Sequence, residues 1–242
     1  MNWDAFFAVH SGLYREGPGT ARDVEWACAQ ACVAPDAAIC DAACGPGADI
    51  SALRAAAPQG HVTAFDKHLG FVAEAAIRHR RDDAVTVTQG VLLGPDDLPD
   101  PVDLGPFDLI WCAGAIYITG VEPALKRWRG ALKPGGAVAF SAPVNLAEPT
   151  SEMHAFWEQE VDTEDSLDAA IHAAGFGTVA SSRVPSEGWE AYYAGVEARC
   201  DDLSRCEAPA IRQAVAENRR EAEKWRALRD KLGYALRVVR PS

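Results

Sequence analysis

From residue 36 onward, short apolar runs alternate with segments whose apolar residues recur every three to four positions. The runs predict β-strands at residues 37–41, 61–66, 84–89, 107–112 and 137–144, and the longer period predicts helices at 49–57, 69–81 and 121–132. Strands alternating with helices make a parallel sheet covered on both faces and wound by right-handed crossovers. After residue 144 the pattern changes. Helices are expected at 151–160 and 163–174, the second ending at Gly175, followed by a strand at 178–184. Past Pro185 a helical stretch runs from about 189 to 232 with a break near Pro209, and an apolar strand at 234–240 follows. The expected fold is α/β: a doubly wound, mostly parallel seven-stranded sheet with a helical insertion before its last strand.

The first 35 residues stand apart from the sheet. Trp3, Phe6, Phe7 and His10 fall at i, i+3, i+4 and i+7, an aromatic stripe along a helix. Ser11-Gly12-Leu13-Tyr14-Arg15-Glu16-Gly17-Pro18-Gly19 then makes a rigid, turn-rich segment. Such an element patches the core or closes over a ligand, and one helix can do both. The chain is expected to be a single domain over 1–242, with 1–35 an N-terminal helical lid, 36–144 the ligand-binding core and 145–242 the pocket-side helices and closing strands.

The chemistry concentrates after the first strand. Asp41-Ala42-Ala43-Cys44-Gly45-Pro46-Gly47 follows an apolar run, and Asp66 ends the next one. Small residues let the backbone pass close to a ligand, and the following helix points its N-terminus at it. A carboxylate roughly 20 residues past such a loop sits where a ribose diol is held. Leu132-Lys133-Pro134-Gly135-Gly136 before a further apolar strand strengthens this reading.

Composition narrows the classes. With 242 residues, 48% hydrophobic and 24% charged, the chain is an ordinary globular protein able to bury a substantial core. A net charge of -12 argues against nucleic acid as a partner, since phosphate neutralisation needs clustered Lys and Arg. The one basic run, Arg78-His79-Arg80-Arg81, is answered at once by Asp82-Asp83 and reads as a solvated helix end. No stretch approaches the roughly 20 apolar residues of a membrane helix, and Met1-Asn2-Trp3-Asp4 does not begin a signal peptide. Seven cysteines, an odd number, point to reduced thiols in the cytoplasm. Cys28 and Cys32 read as small hydrophobes one helical turn apart, Cys40 as a strand residue and Cys44 as part of the glycine loop. Those four do not converge as zinc requires, so no metal is expected. Cys200 and Cys206 read as helix-packing residues.

The core residues resemble class I S-adenosylmethionine-dependent methyltransferases of the bacterial small-molecule kind. The likeness rests on Asp41 to Gly47, Asp66, Gly90, residues 107–117 and Leu132 to Gly136, in that family's order and spacing. Residues 10–19, Gly114-Ala115-Ile116-Tyr117 and 185–193 are similar to a poorly characterised subfamily. The resemblance implies a Rossmann-like methyltransferase fold, S-adenosyl-L-methionine as cofactor and a small-molecule methyl acceptor as partner, with a homodimer as the candidate assembly. It implies that the loop containing Ala43, Gly45 and Gly47, behind Asp41, cradles the methionyl end. Asp66 would accept from the ribose hydroxyls, and Lys67 follows where the adenine edge begins. Gly90-Val91 stands where the family often has Gly-Asp, so a side-chain contact to the adenine amino group is lost or replaced by backbone. Cys112 and Ala113 would lie beside the sulfonium, and Arg15 would reach the cofactor carboxylate from the lid. Ala43 replaces the first glycine of many members.

For the reaction itself, His10 at the end of the lid stripe is the candidate base, able to take a proton near neutral pH. Tyr117 would flank the sulfonium through cation–π contact. Tyr14, Tyr117, His154, Trp157, Trp189, Tyr192 and Tyr193, with Phe156, would line an aromatic pocket for an apolar or aromatic acceptor. Two other readings stay open: a protein of this fold that binds the cofactor without moving its methyl group, and an NAD-dependent oxidoreductase. The second fits poorly, because A-C-G-P-G-A-D lacks the first and last glycines of G-x-G-x-x-G.

Overall fold

Strands β1 (Ala38–Ala42), β2 (His61–Asp66), β3 (Val85–Gln89), β4 (Phe107–Ala113), β5 (Leu132–Asn145), β6 (Phe176–Arg183) and β7 (Leu232–Pro241) form one sheet in the order β3-β2-β1-β4-β5-β7-β6. The computed structural model describes residues 2–94, 97–157, 160–161 and 163–242, with the backbone alone at Trp3. Trp3's expected place in the aromatic stripe and the expected helical turn at 158–159 lie outside the described residues. The first five strands are parallel neighbours, whereas β7 runs antiparallel to both β5 and β6.

Alternating side chains of the central strands feed two cores. Phe65, Ile110 and Phe140 face one side, where α6 (Val121–Trp128) and α8 (Glu164–Ala173) cover them with Leu125, Trp128 and Leu167. Ile39, Leu109 and Trp111 face the other, under α2 (Ala21–Gln30), α3 (Ile50–Ala56) and α4 (Leu69–His79). Burial on both faces is why these strands read as continuous apolar runs. A short helix, α5 (Pro101–Leu104), precedes β4. In the apolar β7, the buried Arg237 donates to Asp168 of α8 at 2.8 Å, which answers the charge.

The later helices build the upper wall. They are α7 (Ser151–Trp157), α9 (Ser186–Asp202) and α10 (Pro209–Leu228), the last two lying between β6 and β7 in sequence. The N-terminal helix, α1 (Trp3–His10), joins that wall to the sheet. Its Ala5 and Val9 pack with Val196 and Cys200 of α9 and Val215 of α10. On its other side Phe7 stacks on His68, 3.7 Å between ring centroids. One face of α1 thus packs on the helical wall and another on the segment after β2.

Several boundaries differ from expectation, each for a local reason. Helix α6 stops at Trp128 and a 3-10 turn at Arg129–Ala131 leads into β5, which starts five residues before position 137. The ladder with β4 jumps from Phe107↔Leu132 to Leu109↔Ala137, bulging Pro134 and Gly135 (φ 81°) outward. Cys32 lies past the end of α2 with φ 52° and is exposed, so it is no core residue. Cys206 follows a 3-10 turn rather than packing in a helix. The basic run is a solvated helix end as expected, with Arg78, Arg80 and Arg81 exposed, while Arg78 also covers the Tyr14 ring and His79 Nε2 donates to the Gly47 carbonyl at 2.9 Å. Among the described residues no helix is long and apolar enough to cross a membrane.

Val9 is fully buried where α1 meets α9 and α10. Val9→Ala should therefore lower unfolding free energy by about 1–3 kcal/mol, as deletion of buried methyls does. A urea midpoint equal to that of the unsubstituted protein would show that α1 does not share the fold's cooperative core.

Candidate active site

Chain winding reverses between β1 and β4, because β2 and β3 add on one side and β4 and β5 on the other. In open α/β sheets a ligand crevice forms at that reversal, beyond the carboxyl ends of the strands. A cavity of about 1340 Å3 opens there. That exceeds the roughly 300–1000 Å3 of a single small-ligand pocket, leaving room for two molecules.

The floor is the loop after β1. Ala43, Gly45 and Gly47 all adopt positive φ, at 58°, 53° and 81°. Asp66 holds this turn from the end of β2: Oδ2 accepts from Gly45 N at 2.9 Å and Oδ1 from His68 N at 2.8 Å. Ala43, Gly45, Asp66, Lys67, Gly90 and Val91 reach the cavity wall, as does Ala113 at the end of β4. Gly47 does not. A Cβ there would lie 2.9 Å from that of Ala75, so this glycine lets the loop pack on α4. Cys112 is also off the wall, sealed in the core, where burial pushes its thiol up. The Val91 N–H donates to the Pro99 carbonyl at 2.9 Å, so it is already engaged within the protein.

The floor is rich in carboxylates. Asp41 is 2% exposed, and its Oδ2 has no hydrogen-bond partner among the described residues. Burial, then the nearby Asp49, pushes its carboxyl well above the usual range, while Arg15 pulls it back. Asp49 accepts from Trp111 Nε1 at 3.0 Å through Oδ2 and from Arg15 Nη2 through Oδ1. Arg15, expected to reach a ligand from the lid, ties the segment after α1 to the loop. Burial raises Asp66 as well, opposed by the N–H groups of His68 and Gly45.

The roof is aromatic. Tyr117, Trp157, Trp189, Tyr192, Tyr193 and Tyr234 line it. Trp189 stacks on Trp225 at 5.5 Å and meets Tyr234 edge-on at 4.9 Å, and Trp157 Nε1 donates to Asn145. Tyr193 donates to Glu221 of α10 at 3.1 Å. Burial pushes the phenols of Tyr117 and Tyr234 up, so both stay neutral. Two expected members are elsewhere. Tyr14 is 63% exposed, its ring against Arg78 and its hydroxyl on the Ala48 carbonyl. His154 is exposed because Met153, Phe156 and Trp157 take the inward positions of α7.

His10 is 5% exposed, lines the cavity beside Arg15, and its Nδ1 lies 2.6 Å from Glu16 Oε2. Glu16 and Asp49 were not singled out from sequence. Both sit in segments that were: Asp49 ends A-C-G-P-G-A-D, and Glu16 lies in the turn-rich stretch before Gly17.

Residues 39–136 match the family model described as a methyltransferase domain. That stretch is a methyltransferase domain. The fold of the whole chain is similar to that of an S-adenosylmethionine-dependent methyltransferase from Geobacter sulfurreducens, in complex with S-adenosyl-L-homocysteine. That match has 20% identity, covers 99% of this chain and 98% of that chain, and has a TM-score of 0.82. A counterpart from Thiobacillus denitrificans, also with S-adenosyl-L-homocysteine, is 19% identical over 98% of each chain, with a TM-score of 0.80. The [4+2]-cyclase SpnF is 20% identical over 91% of this chain and 81% of that chain, with a TM-score of 0.72. Comparison with curated proteins gives no match.

S-adenosylmethionine, the cofactor that the sequence resemblance implies, fits the floor. It carries an ammonium and a sulfonium, and the unpartnered Asp41 Oδ2 is a buried acceptor in need of a donor. At Gly45 a Cβ would meet nothing nearer than Glu16 carbons at 3.7 Å, so the backbone is open to close approach.

The raised Asp41 carboxyl gives a signed pH effect. Its stabilisation is complete below the unfolded value of about 3.9 and is lost as pH rises through the raised folded value. Asp41→Asn cannot ionise, so in cofactor-free protein its stability relative to Asp41 protein should climb between pH 5 and pH 8. Urea midpoints that differ equally at both pH values would show that the carboxylate is compensated. Gly47→Ala faces both positive φ and the 2.9 Å contact with Ala75. It should cost about 1–3 kcal/mol in the same measurement.

Proposed function

We propose that the protein is an S-adenosylmethionine-dependent methyltransferase that moves a methyl group to a small apolar or aromatic acceptor held under the aromatic roof. Arg15, Asp41, Ala43, Gly45, Asp66, Lys67, Gly90, Val91 and Ala113 hold the cofactor on the floor. The observation that carries this reading is one cavity with two unlike ends, an undersatisfied carboxylate cradle and a wall of indoles and phenols. The bound cofactor supplies a sulfonium methyl: a lone pair on the acceptor forms the new bond, and the carbon–sulfur electrons remain on sulfur. The protein aligns the three atoms and excludes water.

The residues divide that work. Asp66 accepts from the ribose diol with the lone pairs left after Gly45 and His68. Tyr117 offers a neutral ring face to the cationic sulfur. Trp157, Trp189, Tyr192 and Tyr193 clamp the acceptor, and their mutual ring contacts keep the clamp rigid before binding. A net charge of -12 supports an acceptor other than nucleic acid, and seven free thiols support a cytoplasmic setting.

Asp66→Ala should weaken S-adenosylhomocysteine binding at least tenfold, since charge-assisted hydrogen bonds contribute about 1.5–3 kcal/mol each. Calorimetric titration checks this, with circular dichroism confirming the fold; unchanged affinity would sink the ribose assignment. Incubation with methyl-labelled cofactor and a panel of phenols, amines and thiols tests transfer itself. Because the same fold serves a cyclase, label that enters no acceptor while the cofactor binds would favour chemistry without methyl transfer.

A further inference from the structure

We infer that Glu16 is the positioning partner of His10, and that the pair takes a proton from the acceptor. This rests on the methyltransferase reading above and sharpens its substrate class. The reacting atom arrives carrying a hydrogen, as a hydroxyl, a thiol or a protonated amine.

The geometry selects one tautomer. Glu16 Oε2 lies 2.6 Å from His10 Nδ1, and an ionised carboxylate only accepts, so Nδ1 carries the hydrogen. Nε2 keeps its lone pair. The imidazole lies flat on Phe6, 4.0 Å between centroids at 13°, which holds the ring's orientation. No hydrogen bond occupies Nε2 among the described residues, nor is it a sealed buried atom, and the ring lines the cavity. A positioned base with an open Nε2, oriented through Nδ1 by a carboxylate, is the arrangement proton transfer needs.

Its location fits the task. The Glu16 carbons lie over Gly45 of the cofactor loop. Glu16 lines the same cavity as Tyr192 of the aromatic roof. The pair therefore stands between floor and roof. Burial disfavours the charge of Glu16, the bond to His10 favours it, and its Oε1 is left without a partner. In the step itself, the proton on the acceptor atom passes to Nε2, and that atom keeps the bonding pair. His10 becomes an imidazolium neutralised by Glu16, and the proton returns to water when product leaves.

The test is nitrogen-15 NMR of histidine-labelled protein saturated with S-adenosylhomocysteine at pH 7.5, with His10 assigned by loss of its peaks in His10→Asn. The expected result is a protonated Nδ1 and a bare Nε2. In Glu16→Leu, which cannot accept, the ring should revert toward the Nε2–H form favoured by free imidazole. An Nε2–H tautomer in the unsubstituted protein, or a Glu16→Leu spectrum unchanged from it, would overturn the dyad. If calorimetry shows that S-adenosylhomocysteine does not bind at all, the methyltransferase reading fails instead. Binding with the wrong tautomer defeats the dyad alone.

Discussion

A single carboxylate sets the geometry of the site. Asp66 reaches back from the end of β2 to take the N–H of Gly45 and forward to take that of His68. This fork fixes the loop after β1 against β2, and the loop must then turn through positive φ at Ala43, Gly45 and Gly47. With the loop held, Asp41 and Asp49 converge on the same space, and burial makes the charge of Asp41 expensive. Trp111 and Arg15 answer Asp49, and nothing described answers Asp41 Oδ2. A cationic ligand relieves that imbalance.

The second constraint is α1. It touches His68 through Phe7, α9 and α10 through Val9, and the loop through Arg15 just beyond its end. Arg199 of α9 also donates to the Ala8 carbonyl at 3.0 Å. Floor and roof are thereby connected through one short helix.

The parallel strands were readable because burial on both faces leaves apolar runs such as Phe107-Asp108-Leu109-Ile110-Trp111, and Asp66 was readable from its spacing to the loop. The start of β5 was not, since Pro134 and Gly135 interrupt the pattern while Leu132 still pairs with Phe107. Tyr14 has the residue type of a pocket wall, but position along the chain does not say which way a ring turns in an irregular segment, and Arg78 draws it outward. Glu16 and Asp49 gain meaning only from partners: His10 across a turn and Arg15 across 34 positions of chain. Glu221 of α10 belongs to the same class, an ordinary surface glutamate in sequence that meets Tyr193 only after folding. Sequence patterns report burial well. They report convergence of distant polar groups poorly.

The central claim is that the carboxylate-lined floor is an S-adenosylmethionine site. The most direct test is a thermal-unfolding comparison of the purified protein in buffer, with S-adenosylhomocysteine and with NAD. A ligand at about 100 times its dissociation constant adds about 2.7 kcal/mol, enough to raise the Tm by a few degrees. The account predicts that shift with S-adenosylhomocysteine and none with NAD. A shift with NAD alone, or none with either, would contradict it.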